Sequence, residues 1–434
     1  MQPINMQQEF KKYVIPSMLT MVLLGFYGIA DGFFIGQVMG DDGLAAINIA
    51  WPLLCVISSL GVGIGTGGAI VLSLKKGAGK EEDANKTIGN TILLLLGASI
   101  LFTILYYCFS SKLLHLLGAE GILYEYGYGY MRVITFGAFF QIMGAGLSPI
   151  IKNLGKPVLA MNMMIVGLVV NLILNYVFLY HFHMNIDGIA IATCIGQAIV
   201  SFIAFYTIYK EGFKPSWLTL DQKICKHIAT IGISPFGLTV TPAFVIVFTN
   251  WQALAYGGNA GVAVYTIASY ASYVVYSLMQ GLADGIQPIL SYCKGAGEEK
   301  QISTVLQKAF LWSGVLCVIF MFSLYHFRYD FPVFYGMAHE TATEAIPAMA
   351  LLVFAVPFIA VARIFSAYFY ALDEGTYASI LVYAEPFVFT PLFLYFLPMK
   401  WDLVGIWAAY PLTQFCLAVL ACVLVKRKSR KFSL

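Results

Sequence analysis

Apolar residues fill this chain in long continuous runs, apolar on every side and separated by short polar turns. About 20 such residues span a bilayer as a helix. Twelve runs of that kind are predicted, at about 13–38, 44–74, 88–110, 127–151, 158–181, 187–209, 228–256, 261–292, 303–326, 345–371, 376–398 and 403–425. The strands of a transmembrane barrel would show segments of about ten residues with alternating polarity, and the runs lack that alternation. The predicted fold class is an all-α membrane protein of twelve transmembrane helices.

The runs form two sets of six. GVGIGTGGAIVLSLKKGAGK at 61–80 is echoed by MQGLADGIQPILSYCKGAGE at 279–298, so that Gly63 pairs with Gly281, Ser73 with Ser291 and Lys76-Gly77-Ala78-Gly79 with Lys294-Gly295-Ala296-Gly297. Gly40, Gly43, Ala45, Ile49 and Ala50 meet Gly258, Gly261, Ala263, Ile267 and Ala268 at the same offset, and Gln197 meets Gln414 at one residue less. The halves are predicted at 1–210 and 228–434, joined by a polar cytoplasmic linker at 211–227. An even number of helices per half gives both copies the same orientation, as two pseudo-symmetric lobes about an axis along the membrane normal.

Composition agrees. Of 434 residues, 60% are hydrophobic and 11% charged, where a soluble domain carries about 25% charged residues, and the mean hydropathy is +0.80. Basic residues gather at Lys11/Lys12, Lys75/Lys76/Lys80/Lys86, Lys152/Lys156, Lys210/Lys214/Lys223/Lys226, Lys294/Lys300/Lys308 and Lys426 to Lys431, all on one side of a twelve-helix chain. The other side holds Lys112, Arg328 and Lys400 with Asp41, Asp42, Asp187 and Asp330. Lys and Arg excess marks the cytoplasmic face, which places the chain as a multi-pass protein of the cytoplasmic (inner) membrane with both termini inside. The net charge of +3 is this bias, and no nucleic-acid partner is expected. No cleavable signal peptide is evident. The eight cysteines are scattered without C-x-x-C and read as small packing residues.

Few residues in the spans carry chemistry. The glycines at 61, 63, 65, 67 and 68 lack the Lys-Ser/Thr of a phosphate loop and read as close helix packing. Asp31 is the sharpest residue, because a carboxylate at mid-span costs about 2.5–3.5 kcal/mol. Asn171 and Asn175 share one face of the fifth helix, and Thr193 lies early in the sixth; with Asp31 they offer hard oxygen donors suited to Na⁺, while a proton needs only the carboxylate. Asp284 and Glu385 also lie in apolar sequence, and either can attract a cationic substrate, relay protons or pair with Arg363, the one intramembrane base expected. His181 and His183 read as loop residues, not a metal site. The 27 Tyr, 33 Phe and 16 Met are compatible with an adaptable cavity.

Together these features resemble the multidrug and toxic compound extrusion (MATE) family. The resemblance rests on the duplicated twelve-helix layout, on Asp31-Gly32-Phe33-Phe34-Ile35-Gly36 followed by Gly40 and Leu44-Ala45-Ala46, on the paired Gly-Ala-Gly turns, and on Gln287-Pro288 in the eighth helix, which is most similar to the bacterial drug-efflux branch. It implies two six-helix lobes and exchange of an organic substrate for inward-moving Na⁺ or H⁺, with a helix-one Asp at the centre of coupling. Asn171 and Thr193 match the family pattern. Asn175 stands where relatives often carry an Asp, which leaves one formal charge in the site.

The expectation is a secondary active antiporter, not an enzyme, exporting organic, cationic amphipathic compounds by alternating access. Asp31, Asn171, Asn175 and Thr193 would hold the coupling cation, Na⁺ or H⁺, and Asp284, Gln287 and Glu385 would line a substrate cavity. Its partners would be a small-molecule substrate and membrane lipid, with no cofactor beyond the coupling ion and a monomeric state. The alternative is a flippase for lipid-linked oligosaccharides, which would need a basic cavity where this chain has three intramembrane acids. A membrane enzyme would need a clustered His, Asp or Arg site, and a channel would conduct without coupling.

Overall fold

A computed structural model describes the backbone of residues 6–334 and 339–431. The side chains of 26–30, 41, 259, 334, 339–342 and 429–431 are not among those described, so Asp41 and the last residues of the terminal basic run lie outside the described side chains. The described chain is helical nearly throughout. Among the described residues, eleven helices are long and apolar enough to cross a membrane: α2 Asp42–Gly77, α3 Glu81–Leu116, α4 Gly121–Asn153, α5 Pro157–His181, α6 Ile186–Lys210, α7 Gln222–Gly258, α8 Ala260–Ala296, α9 Glu299–His326, α10 Thr343–Ala371, α11 Gly375–Phe396 and α12 Pro398–Lys428. The twelfth, α1, is the part of the first helical run before Gly40. Several helices exceed their apolar runs because polar turns extend them at the ends; α3 begins at Glu81, although its apolar run starts near 88.

The internal repeat is written into the backbone. Gly40 joins α1 to α2 at φ 62°, ψ −151°, and its repeat partner Gly258 joins α7 to α8 at φ 56°, ψ −149°. This region is essentially closed to residues with a side chain. Gly79 (φ 71°) and Gly297 (φ 73°) end α2 and α8 in the left-handed region. Both turns carry the same bonds: Gly79 N donates to Lys76 O and Lys80 N to Lys75 O, while Gly297 N donates to Lys294 O and Glu298 N to Cys293 O. That is the Schellman closure, which satisfies carbonyls left over at a helix end.

The chain packs as two compact units. One holds residues 11–239 with 291–298; the other holds 1–10, 240–290 and 299–434. These divisions follow packing, so the starting turns of α7 and the last turns of α8 are grouped with the first lobe. In the first unit α4 is central and packs on α3, α5 and α6. In the second, α10 takes the corresponding place against α9, α11 and α12. The glycine run on α2 packs as expected. A carbon added at Gly65 would stand 2.0 Å from Gly146 O of α4, and one at Gly61 2.6 Å from Ile142 O. The linker is folded and not loose: Asn90 Nδ2 donates to Thr219 O at 3.0 Å, Asp221 N donates to Asn90 Oδ1 at 2.8 Å, and Asp221 caps α7 through Lys223 N and Ile224 N. All eight cysteines are free.

Alanine at Gly40 or Gly258 is expected to destabilise the protein by about 1–3 kcal/mol, the strain of a side chain in that backbone region. Gly97→Ala is the control, since its added carbon meets nothing within 4 Å. Melting temperatures of the detergent-solubilised variants read the difference, and an unchanged Gly258→Ala contradicts the strain.

Candidate functional site

Four of the residues singled out in the sequence meet inside the first lobe. Asn171 and Asn175 project one turn apart from α5, and Thr193 from the second turn of α6. All three are buried, with 0%, 0% and 7% of their surface exposed. They converge on Asp31 of α1, which is half-buried. Asn175 Nδ2 donates to Asp31 Oδ1 at 2.7 Å and to Asn171 Oδ1 at 3.3 Å. Thr193 Oγ1 donates to Asp31 Oδ2 at 3.3 Å and accepts from Asn171 Nδ2 at 3.3 Å. Each carboxylate oxygen therefore has one neutral donor. Among the described residues no base pairs with Asp31. The Asn175 side-chain oxygen is enclosed and has no hydrogen-bond partner, a rare state for a buried acceptor.

The set fits a small hard cation on one condition. At present donors, not acceptors, are turned toward the carboxylate. A half-turn of the Asn175 amide would exchange its N–H for the idle oxygen and bring Asn175 Oδ1, Asn171 Oδ1, Thr193 Oγ1 and the Asp31 carboxylate to bear as oxygen ligands. A protonated Asp31 needs an acceptor for its new O–H, which Thr193 Oγ1 can supply by rotating its own hydrogen, or Asn175 Oδ1 after the same turn. Among the described residues no group of three His, Cys, Asp or Glu side chains could hold a metal.

The second lobe handles its acids differently. Glu385 sits at the start of a π-helical turn, Glu385–Phe389, inside α11 and is 4% exposed. Arg363 Nη2 of α10 donates to Glu385 Oε2 at 2.6 Å, and Gln414 Nε2 of α12 donates to Glu385 Oε1 at 2.7 Å. The guanidinium lies 4.9 Å from the ring centre of Tyr276 on α8. Of the alternatives open for Glu385 in the sequence, the structure realises the ion pair with Arg363. Asp284 accepts from Gln280 Nε2 at 2.9 Å and from Tyr370 Oη at 3.4 Å. Gln287 lies one turn further along α8, buried at 3% exposure. Asp284 is half-buried, whereas Gln287 and Glu385 are enclosed in the lobe.

The sequence reading missed Tyr276, Gln280 and Tyr370 as partners in this network. Gln414 carried a signal, as the repeat mate of Gln197, and Gln280 stands four residues before Asp284. Arg363 is also not the single base within the spans: Arg132 falls inside the apolar run of α4, where it stays exposed and lies 3.7 Å from Asp187 at the start of α6. Its long side chain reaches from an apolar stretch toward the helix end, so the charge escapes burial.

Known proteins resemble this chain in sequence and in fold. The family model described as MatE matches residues 16–177 and 239–390, one block in each half of the repeat. The chain is 24% identical to multidrug export protein MepA of Staphylococcus saprophyticus over 428 residues, covering 95% of this chain and 92% of that protein. It is 23% identical to MepA of Staphylococcus aureus over 426 residues, again covering 95% and 92%. Among solved structures, a mutant of the Vibrio cholerae MATE transporter VcmN superposes with TM-score 0.92 at 20% identity, over 98% of this chain and 97% of that one. A multidrug resistance MATE family transporter in an outward-facing conformation superposes with TM-score 0.89 at 23% identity, over 98% and 96%. The structural likenesses establish the fold, and the family match across both halves establishes the kinship: the chain belongs to the MatE family of membrane transporters.

Proposed function

We propose that the protein is a secondary active antiporter that exports organic, cationic amphipathic compounds in exchange for Na⁺ or H⁺. The observation that carries this reading is the contrast between the two lobes' acids. Glu385 is neutralised by a guanidinium at 2.6 Å. Asp31 is held by neutral amide and hydroxyl groups beside an idle acceptor. A charge in a low-dielectric interior needs compensation, and here an exchangeable cation would supply it. The multidrug export named for the MepA relatives supports export of organic compounds.

In this mechanism the coupling cation arrives at Asp31, the Asn175 amide turns its oxygen inward, and α1 loses its hydrogen bond to α5. Neutralising Asp31 alters the lobe's affinity for cargo, which is the differential interaction that linkage requires. One inward charge gains about 2.3 kcal/mol per 100 mV of membrane potential. For a monovalent cationic cargo exchanged one for one, the voltage contribution cancels and the chemical gradient of the ion drives export. The basic turns at Lys75–Lys80, Lys152–Lys156 and Lys294–Lys300 support cytoplasmic termini, by the bias of Lys and Arg toward that face.

Proteoliposomes carrying a fluorescent organic cation, with a Na⁺ or a pH gradient imposed separately, test the assignment. Asp31→Asn mimics the neutralised acid and is expected to abolish gradient-driven transport and to change substrate affinity in the direction that saturating coupling cation does; full coupled transport by that variant overturns the role of Asp31. Asn175→Asp adds a second carboxylate and is expected to shift the dependence toward Na⁺, read as a lower half-saturating Na⁺ concentration. In the second lobe, Arg363→Met leaves Glu385 uncompensated and is expected to cost about 3–5 kcal/mol of stability. Adding Glu385→Gln to it is expected to recover most of the loss in melting temperature.

A further inference from the structure

A groove on the flank of the first lobe is not used by the cluster around Asp31. A cavity of about 360 Å³ opens between α4 and α6, walled by Phe136 and Phe140 on one helix and Ile191 and Ile195 on the other. Gly137 and Cys194 also line it, and a carbon added to Gly137 would stand 2.0 Å from Cys194 Sγ. Successive residues turn about 100° around a helix, so Ile191 and Ile195 stand opposite Thr193, the α6 residue that faces Asp31. The groove therefore opens away from the lobe's interior. Phe136 is 61% exposed, and Phe202, which packs against Phe140, is 64% exposed. Such an apolar surface in a membrane span is covered by lipid.

At the end of the groove near the 182–185 turn stand two opposite charges. Arg132 Nη2 lies 3.7 Å from Asp187 Oδ2, with the side chains 65% and 41% exposed. A charge-assisted hydrogen bond is about 2.7–2.9 Å long, so this pair is loose and contributes little by itself. The other carboxylate oxygen, Asp187 Oδ1, is enclosed and has no hydrogen-bond partner. The guanidinium offers five N–H donors in a fork suited to phosphate. A cation with donors to spare and an anion whose Oδ2 has only this long contact thus sit side by side where an acyl-sized groove begins.

We propose that this groove is a binding site for phosphatidylethanolamine. One acyl chain lies between Phe136, Phe140, Ile191 and Ile195, the phosphate rests on Arg132, and the ammonium donates to Asp187. The pairing of charges selects the headgroup. Phosphatidylcholine has no N–H to offer the carboxylate, and phosphatidylglycerol brings a net negative charge with no ammonium to meet it.

Native mass spectrometry of the delipidated full chain, titrated with the three lipids at matched chain length, tests the site. Half-occupancy by phosphatidylcholine or phosphatidylglycerol is expected at about tenfold or more higher concentration than for phosphatidylethanolamine, the effect of losing one charge-assisted hydrogen bond. Asp187→Asn is expected to erase the preference over phosphatidylcholine, and Arg132→Gln to weaken all three lipids. Ile195→Trp fills the groove and is expected to remove the lipid adduct; each variant's lipid-free melting temperature shows that it is folded. Equal occupancy by the three lipids, a preference that survives in Asp187→Asn, or binding of glycerophosphoethanolamine without chains as tightly as the lipid would overturn the proposal.

Discussion

The bilayer's refusal to hydrogen-bond the backbone governs this protein. In hydrocarbon every N–H and C=O must be satisfied within the chain, so the spans are helical throughout, with a π-helical turn at Glu385–Phe389 inside α11 and the chain-reversing glycines at helix ends. The turns at Gly79 and Gly297 close the helix ends through bonds of identical pattern, and those at Gly40 and Gly258 reverse the chain without an intervening loop. With the backbone self-satisfied, the remaining freedom lies in the few polar side chains that the spans can tolerate. Hydroxyls can turn back to a carbonyl of their own helix, as Thr135 does to Met131 O, but the buried acids rely on other side chains, and there the two lobes part.

The duplication preserved backbone and not chemistry. Gly40 and Gly258 share one unusual conformation, and the Lys-Gly-Ala-Gly turns repeat bond for bond. The same offset carries Asp31 to Thr249 and Ala145 to Arg363. One lobe thus holds an acid among amides and a hydroxyl, while the other holds an acid locked to a guanidinium and a glutamine. A buried ion pair is hard to break from one side because the partner is left uncompensated. A carboxylate surrounded by neutral groups has no such lock. In the proposed mechanism this asymmetry assigns cation exchange to one lobe, while the other keeps its polar core closed.

Much of the candidate site was legible in residues and spacing. Asp31 stood out as a charge in an apolar run, and Asn171 with Asn175 as an i, i+4 pair on one face. Their connection to Asp31 spans 144 residues of sequence, and family resemblance pointed to it before the folded chain joined them. The idle oxygen of Asn175 had no sequence signal, because which end of an amide is used depends on three helices at once. Arg132 was passed over as part of an apolar run, since its exposure depends on its place at the end of a groove.

The sequence by itself determined the number of spans, the two-fold internal repeat and the positions of the tight turns, because hydropathy, glycine and chain length are local properties that a bilayer reads directly. Only the tertiary structure decided which acid is neutralised and which is left to its neutral neighbours. Glu385 and Arg363 lie on different helices, and so do Arg132 and Asp187. Such pairings depend on how helices rotate and pack, and an apolar run that looks the same from every side leaves that rotation open.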